Sequence, residues 1–175
     1  MTDFHQLIVN RRSTRRYDSQ QISPENVRTI LEAALLAPTS KNTRSWQFVA
    51  VENPEMLERL SQCKPQYAVS IKDCRLAIIV CGDTMASDVW VEDASIAAAY
   101  MQLQAEDLGL GSCWVQVRGR FTADGQPSDE YVAEQLSIPE QFNPLCILTF
   151  GHKNEQRRPN DLEKLKWENV HLGQW

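Results

Sequence analysis

The sequence contains few glycines, seven in 175 residues, and lacks the glycine-rich motifs that bind nucleotides. It has no GxGxxG segment and no GxxxxGKS or GxxxxGKT segment. The GLG triplet at 109–111 follows a helical pattern and not a strand, so it is a poor match to a dinucleotide-binding turn. These absences argue against an ordinary dinucleotide-binding domain and against a P-loop.

Histidines are also scarce, three in all, and neither HExxH nor GxSxG occurs. Hydrolases that depend on a histidine-assisted nucleophile therefore find little support. No apolar run approaches the roughly 18 to 20 residues that cross a bilayer. The segment MTDFHQLIVNRR has too short an apolar group for a signal peptide. We expect a cytoplasmic protein with no membrane partner.

The cysteines are odd in number, five, and no two have CxxC spacing. Most lie in apolar stretches such as CRLAIIVC and PLCILTF, which favours buried, reduced thiols over a disulfide framework or a zinc site. The formal net charge of −5 argues against a nucleic-acid partner, because such proteins usually present a basic face. No metal site is predicted.

Helical and strand patterns alternate along the chain without a repeat or an interdomain linker. Ser23 and Pro24 are typical of a helix start, and Pro38 is expected to follow that helix's end. Further helices are predicted at 3–10, from Pro54, at 92–108 and at 128–136 with Ser128 as N-cap; strands are predicted at 46–51, 75–82, 111–117 and 144–152. The mixture predicts one domain over 1–175, of the α/β or α+β class.

The helix predicted at 92–108 carries a stripe of mostly small residues. These are Ala94, Ala97, Ala98, Met101, Ala105 and Leu108. Small side chains allow another backbone to come close. The stripe could face the core of its own domain or a helix of a second subunit, and the sequence alone leaves both possibilities open.

The segment RRSTRRY at 11–17 concentrates positive charge in an acidic chain. Three interpretations compete: a solvated basic surface, a patch for nucleic acid or a protein partner, and a specific anion site. Arginine's planar fork suits a phosphate better than a lysine does. A second pair, Arg157 and Arg158, could converge on the same anion. Likewise, the segment PTSKNTRSW at 38–46 is either a loop that caps its own ends or a polar edge for a ligand.

Four segments in order resemble the FMN-dependent nitroreductase family in a short-chain form. They are RRSTRRYD, PTSKNTRSWQF, GLGSCW and GHKNEQRRP, and the resemblance covers about residues 5 to 170. It implies an α+β fold with a central, mostly antiparallel sheet flanked by helices. It also implies an intertwined homodimer with FMN at the interface, the long helix packed on its twin, and a tail, 155–175, packed on the partner subunit.

The resemblance also implies which residues bind FMN. Arg11, Arg12 and Ser13 match positions that hold the phosphate and ribityl chain, and Arg15 matches a basic position near the pyrimidine edge of the flavin. The remaining matches are the loop residues Pro38, Thr39, Ser40 and Asn42, which reach the flavin from the second subunit; the strand residues Trp114, Val115 and Gln116, beside the N5 and O4 edge; and Arg157 or Arg158, a second phosphate clamp.

The function implied is hydride transfer from NADH or NADPH, through FMN, to a nitroaromatic, a quinone or a flavin. The flavin carries the chemistry, so no side-chain acid or base is expected to be catalytic, and Arg15 is the candidate that tunes the flavin. Alternatives are a flavoenzyme of the same fold with another reaction, such as reductive dehalogenation or dehydrogenation, and a non-enzymatic flavin-binding protein. A module that uses RRSTRR to bind a polyanion is the third alternative.

The sequence departs from the family pattern in three places. Ser45 stands before Trp46 where proline is common, and VQVRGRF at 115–121 lacks an acidic residue and a glycine that larger members carry near Gln116. The chain is also short, with little sequence that could form a cover over the flavin. The polar contact at flavin N5 is therefore open, and a backbone N–H could serve in place of those residues.

Overall fold

The computed structural model describes residues 3–175. Its helices are α1 (Phe4–Asn10), α2 (Pro24–Leu35), α3 (Pro54–Leu60), α4 (Ser70–Asp73), α5 (Trp90–Asp107) and α6 (Ser128–Leu136). Its strands are β1 (Trp46–Val51), β2 (Leu76–Asp83), β3 (Leu110–Gln116) and β4 (Phe142–His152). Short 3-10 helices lie at Ser40–Asn42, Ser61–Cys63, Leu162–Lys164 and Trp167–Asn169. The elements expected from the sequence are present, with shifts of a few residues at their ends.

The four strands form one sheet in the order β1-β2-β4-β3, and each neighbouring pair is antiparallel. Trp46 pairs with Gly82 at one end of the sheet, and Ser112 pairs with Phe150 towards the other. The α+β class with an antiparallel sheet is thus confirmed. The outer strands β1 and β3 are separated by the two central strands, so their facing residues lie about 14 Å apart at the inter-strand spacing of about 4.8 Å.

Helices cover both faces of the sheet, which explains why β2 is an unbroken apolar run. Leu57, Leu60, Ile71 and Val132, from α3, α4 and α6, are buried on one face. On the other face, α2 and α5 bury Ile30 and Met101. A fully buried Leu or Ile contributes roughly 1.5–3 kcal/mol, so these two layers supply most of the driving force for folding.

The small-residue stripe of α5 faces the core of its own chain. Ala94, Ala97, Ala98, Met101 and Ala105 are fully buried without any second subunit. The small side chains let α2 and the sheet approach the α5 backbone closely. Of the two possibilities that the sequence left open for the stripe, the structure therefore has the first, burial within its own chain. The opposite side of α5 is the accessible one, with Ile96 38 % and Tyr100 41 % exposed.

The helix starts follow their sequence signals with one exception. Ser23 accepts a hydrogen bond from Asn26 N, as an N-cap does, and α2 begins at Pro24. Ser128, expected to cap α6, is instead the first residue of that helix. Its buried hydroxyl donates to Cys63 O at 2.5 Å, so it ties α6 to the end of the 3-10 helix at Ser61–Cys63.

All five cysteines are buried free thiols, as expected. Burial raises the pKa of Cys63 to about 11 and that of Cys74 to about 12, so these thiols are unreactive at neutral pH. Within residues 3–175, no group of three or more His, Cys, Asp or Glu side chains is placed to hold a metal ion. No helix in this range is long and apolar enough to cross a membrane.

Candidate functional site

The arginine-rich segment, residues 11–17, is fixed to one edge of the sheet by its non-arginine residues. Thr14 N donates to Ser112 O on β3 at 2.9 Å, and Tyr17 forms a bridge with Lys153 after β4. Thr14 and Tyr17 are buried. Thr14 and Tyr17 therefore anchor the segment, and this holds the neighbouring arginines at defined places along the outer edge of β3.

Two glycines make room for these anchors. A Cβ at Gly111 would lie 2.6 Å from Cγ2 of Thr14, and one at Gly151 would lie 2.7 Å from Cδ1 of Tyr17. Gly111 and Gly151 are paired across β3 and β4. The sequence showed both glycines, but only the pairing shows that together they form one bare patch on the sheet.

The Tyr17 hydroxyl lies at 2.7 Å from both Thr14 O and Thr149 Oγ1. Desolvation by burial raises the pKa of Tyr17 well above its usual value, so its proton is held and the hydroxyl serves as a fixed donor. This buried link closes the turn between the two anchors. Sequence reasoning missed Tyr17, since a lone tyrosine after arginines carries no distinctive signal.

Several side chains of the candidate site influence the pKa of the Cys113 thiol, in the middle of β3. Burial raises the pKa of Cys113, whereas the positive charges of Arg15, Lys64 and Arg11 and a hydrogen bond from Ser13 oppose this rise. Arg11, Ser13 and Arg15 thus all influence the pKa of the same thiol. Within the described range, no carboxylate lies within 4 Å of the Arg11 or Arg15 guanidinium.

Lys64 is the member of this cluster that the sequence did not reveal. It follows the 3-10 helix at Ser61–Cys63, and its Nζ donates to Gln116 O at 3.3 Å. Desolvation lowers the pKa of Lys64, and the nearby Arg120 lowers it further. A lysine that is partly desolvated beside other cations is poised to interact with an anion.

Arg12 and Arg157 lie in a neighbouring polar cavity of about 210 Å³. Asn10, Thr14, Glu106, Lys153, Glu155 and Pro159 complete its lining. Arg12 donates to Arg158 O at 2.7 Å, and Arg157 pairs with Glu155 at 2.7 Å. The structure therefore brings Arg12 and Arg157 together, while Arg158 contributes its carbonyl to this contact.

Glu155 joins the cavity to the arginine-rich segment, because its Oε1 accepts from Arg15 N at 2.6 Å. Burial alone would raise the pKa of Glu155. The hydrogen bond from Arg15 N and the charge of Arg157 outweigh that effect and lower it below its ordinary value. The charged Glu155 carboxylate thus fixes the position of the backbone at Arg15.

Hydrogen bonds connect the polar side chains at the end of β3. Trp114 Nε1 donates to Gln116 Oε1 at 2.9 Å, and Gln116 Nε2 donates to Arg118 O at 2.9 Å. The Val115 side chain is buried in the core, so only its backbone is available to a ligand. Trp114 and Gln116 are half-buried on the opposite face.

The loop that contains Pro38, Thr39, Ser40 and Asn42 lies at the far corner of the sheet. It leads into Trp46 on β1, the edge strand opposite β3, and Trp46 lies at the end of the sheet away from Ser112. Within one chain, the structure therefore does not bring this loop to the arginine-rich segment. Pro38 is exposed, and Lys41, Asn42, Thr43 and Arg44 are exposed beside it.

Comparison with known proteins gives a consistent set of relatives. The model of the "Nitroreductase family" matches residues 8–68 and 71–152. A Methanothermobacter thermautotrophicus protein named "Putative NADH dehydrogenase/NAD(P)H nitroreductase" is 34 % identical over 99 % of this chain and 88 % of its own length.

Two further relatives have FMN in their names. The solved structure of an FMN-dependent nitroreductase from Clostridium difficile R20291 superimposes with a TM-score of 0.94, at 41 % identity, over 97 % of this chain and 98 % of that one. The "FMN reductase (NADPH)" of Bacillus subtilis is 25 % identical over 87 % of this chain and 66 % of its own length.

Proposed function

The chain belongs to the nitroreductase family, and on that premise we propose that it is an FMN-dependent oxidoreductase that takes electrons from NADH or NADPH. The observation that carries the proposal is the anchoring of the arginine-rich segment along β3, which holds Arg11 and Arg15 there with no carboxylate within 4 Å of either guanidinium in the described residues. Positive charge held without a partner in a folded protein favours a bound anion.

The residues present fit FMN. Its phosphate carries a charge of about −1.5 to −2 at neutral pH, and Arg11 and Ser13 supply a guanidinium and a hydroxyl next to each other on one segment. In the neighbouring cavity, the charges of Lys153 and Arg157 are balanced by Glu106 and Glu155 at 2.7 Å each. Arg12 is the cation there that no carboxylate of the described residues balances, and we assign its charge to the same phosphate.

Bound FMN would supply the hydride and electron chemistry. The chain's own residues bind it and set its electrostatic environment. Arg15 and Lys64 place positive charge beside β3, where it favours any negative charge that develops on a bound ring system. The backbone at Trp114, Val115 and Gln116 lies at this same edge, and Lys64 Nζ fixes the Gln116 carbonyl.

A complete site needs a second copy of the chain. The loop with Thr39, Ser40 and Asn42 lies at the opposite corner of the sheet from Arg11 and Arg15, so a ligand could meet both only at a homodimer interface. The exposed apolar side chains support such an interface. Phe4 and Tyr100, with Leu7 and Leu103, line a groove of about 490 Å³ between α1, α2 and α5.

The tail at 155–175 is proposed to pack on the partner subunit. Trp167 is 69 %, Leu172 91 % and Trp175 99 % exposed in the single chain. Large exposed apolar side chains in one segment usually mark an interaction surface. Deleting 167–175 is expected to shift the protein from dimer to monomer in sedimentation experiments and to release the cofactor. A truncated protein that stays dimeric and loaded would contradict this role for the tail.

The acceptor is proposed to be a nitroaromatic, a quinone or a flavin. The test of the whole proposal is the absorption spectrum of the purified protein, repeated under anaerobic conditions after NADH or NADPH. A yellow protein whose flavin bands bleach is the expected result, and the faster donor is the natural one. A colourless protein that does not take up added FMN would overturn the proposal. A yellow protein that neither donor bleaches would point to flavin binding without this reaction.

A further inference from the structure

Asp93, a buried carboxylate, joins two loops at the start of α5. Its side chain is 3 % exposed and it lies in the first turn of the helix. Its Oδ1 accepts from Ser40 N at 2.8 Å, and its Oδ2 lies 3.5 Å from both Thr43 Oγ1 and Ser87 Oγ. Within residues 3–175, no Lys, Arg or His forms a salt bridge with it. Its charge is therefore compensated by backbone and hydroxyl donors and by the helix N-terminus.

The loop that Asp93 holds has an unfavourable backbone. Lys41, Asn42 and Arg44 have φ values of 51°, 55° and 50°, in the left-handed region that non-glycine residues seldom occupy. Three such residues within four positions persist only when other contacts hold them. The hydrogen bond from Ser40 N to Asp93 directly precedes the first of the three.

Contacts within the loop then orient one side chain. Arg44 N donates to Thr39 Oγ1 at 3.0 Å, and Arg44 Nε donates to Asn42 Oδ1 at 3.2 Å. Asn42 Oδ1 is engaged by Arg44 and the residue is exposed, so its Nδ2 hydrogens remain as donors for a ligand. An amide fixed in this way is suited to an acceptor atom on a ligand.

We propose that Asp93 is a positioning residue that holds the loop 39–44 in its left-handed conformation and so directs the Asn42 amide at the cofactor of the partner subunit. The proposal rests on the proposed function for the identity of that ligand. Asp93 is buried, and its side-chain contacts are with Ser40, Thr43 and Ser87. Its contribution is to prepare the loop before binding, which lowers the ordering cost at the moment of binding.

Limited trypsin digestion without added cofactor tests whether Asp93 holds the conformation of the loop 39–44. Lys41 and Arg44 are exposed cleavage sites inside the loop. In Asp93→Asn, which keeps the size of the side chain, cleavage at these two sites should accelerate about tenfold relative to wild type, since the open state governs the rate. The neighbouring exposed Glu92→Gln undergoes the same charge change and should match wild type. Equal rates in Asp93→Asn and Glu92→Gln would overturn the proposal.

A second variant tests the same contact from the loop side. Thr43→Val removes one donor to Asp93 and leaves α5 untouched. It should accelerate the same two cleavages, by less than Asp93→Asn. Should Asp93→Asn fail to fold, this variant alone tests whether the contact with Asp93 holds the loop 39–44. An unchanged rate in Thr43→Val would then count against the proposal.

FMN titration with Asp93→Asn, Asn42→Ala and the double variant tests whether Asp93 supports FMN binding through Asn42. Each single variant should weaken FMN binding by about fivefold or more. If Asp93 acts through Asn42, the double variant should bind within about twofold of the weaker single variant. If the losses of FMN affinity in the two single variants multiply in the double variant, Asp93 does not act through Asn42. Ile30→Val loosens the core beneath α5 and should leave FMN binding unchanged. Failure of wild type to bind FMN would remove the proposed function, whereas the digestion result would stand.

Discussion

Gly111 lies directly opposite Gly151 in the pairing of β3 with β4, and no side chain of either fills the space that Thr14 and Tyr17 occupy. The arginine-rich segment can therefore lie flat against the sheet. Its position follows from this bare patch and from the Tyr17 hydrogen bonds.

Substituting Gly111 by alanine should disturb that arrangement. The new Cβ would be 2.6–2.8 Å from three atoms of Thr14, so the segment must move away from β3. We expect the free energy of unfolding to fall by about 1–3 kcal/mol, as for overpacked sites, measured by urea denaturation. Gly119→Asn is the control, since this position has open space and a φ of 67°, which asparagine tolerates. An unaltered stability in Gly111→Ala would show that the segment is not anchored here.

Arg15 and Arg16 are neighbours with different expected roles. Arg15 acts on the region around Cys113, whereas the contact of Arg16 is through its backbone carbonyl, to Asn154 N. In Arg15→Ala, the midpoint potential of bound FMN should become more negative by about 30 mV or more, a tenfold change in a two-electron equilibrium. Arg16→Ala should leave it unchanged. Equilibration with a reference dye measures both, and equal potentials in the two variants would remove the tuning role of Arg15.

Lys64 predicts a pH dependence of FMN binding. Its pKa in the unliganded protein lies below the ordinary 10.5, mainly because of desolvation. A bound anion raises that pKa, so affinity is greatest where Lys64 is charged and decreases as the pH rises through the lowered value. Fluorescence titrations above about pH 7.5, where the phosphate is fully ionised, should show the decrease in wild type. Lys64→Arg stays charged and should not show it. A decrease of the same size in that variant would assign it to another group.

Glu155 predicts a pH dependence of stability. Its pKa in the folded protein is below the ordinary 4.5, so its carboxylate stabilises the fold fully above pH 4.5. This contribution is lost as the pH falls through the lowered value. Glu155→Gln should therefore be less stable than wild type at pH 6, and the difference should shrink below pH 4.5. Urea unfolding at a series of pH values measures it. The exposed Glu52→Gln should follow the wild-type curve throughout.

Much of the local structure could be predicted from the sequence. The Ser23–Pro24 helix start, the apolar run of β2 and the strand at 46–51 carry strong short-range signals, and the structure has them in place. The four motifs in order also indicated the family correctly. These features depend on residues that are neighbours in sequence, so the sequence alone is enough to predict them.

The parts that sequence reasoning missed depend on long-range contacts. Lys64 reaches Gln116 only because the 3-10 helix at Ser61–Cys63 lies against β3, and Asp93 reaches Ser40 across 53 positions. The sequence left the neighbour of the α5 stripe open, because small residues suit any close packing, whether against the same chain or another. Burial, not composition, distinguishes the two cases.

The diagonal separation of the Arg15 edge from the Asn42 loop has a genetic consequence. If each site takes one edge from each chain, two different defective copies can compensate for one another. A cell that makes both an Arg15→Ala chain and an Asn42→Ala chain would assemble mixed pairs in which one site collects both lesions and the other collects none. Intragenic complementation between such alleles, absent when either is expressed alone, is how a shared site would show itself in a living population.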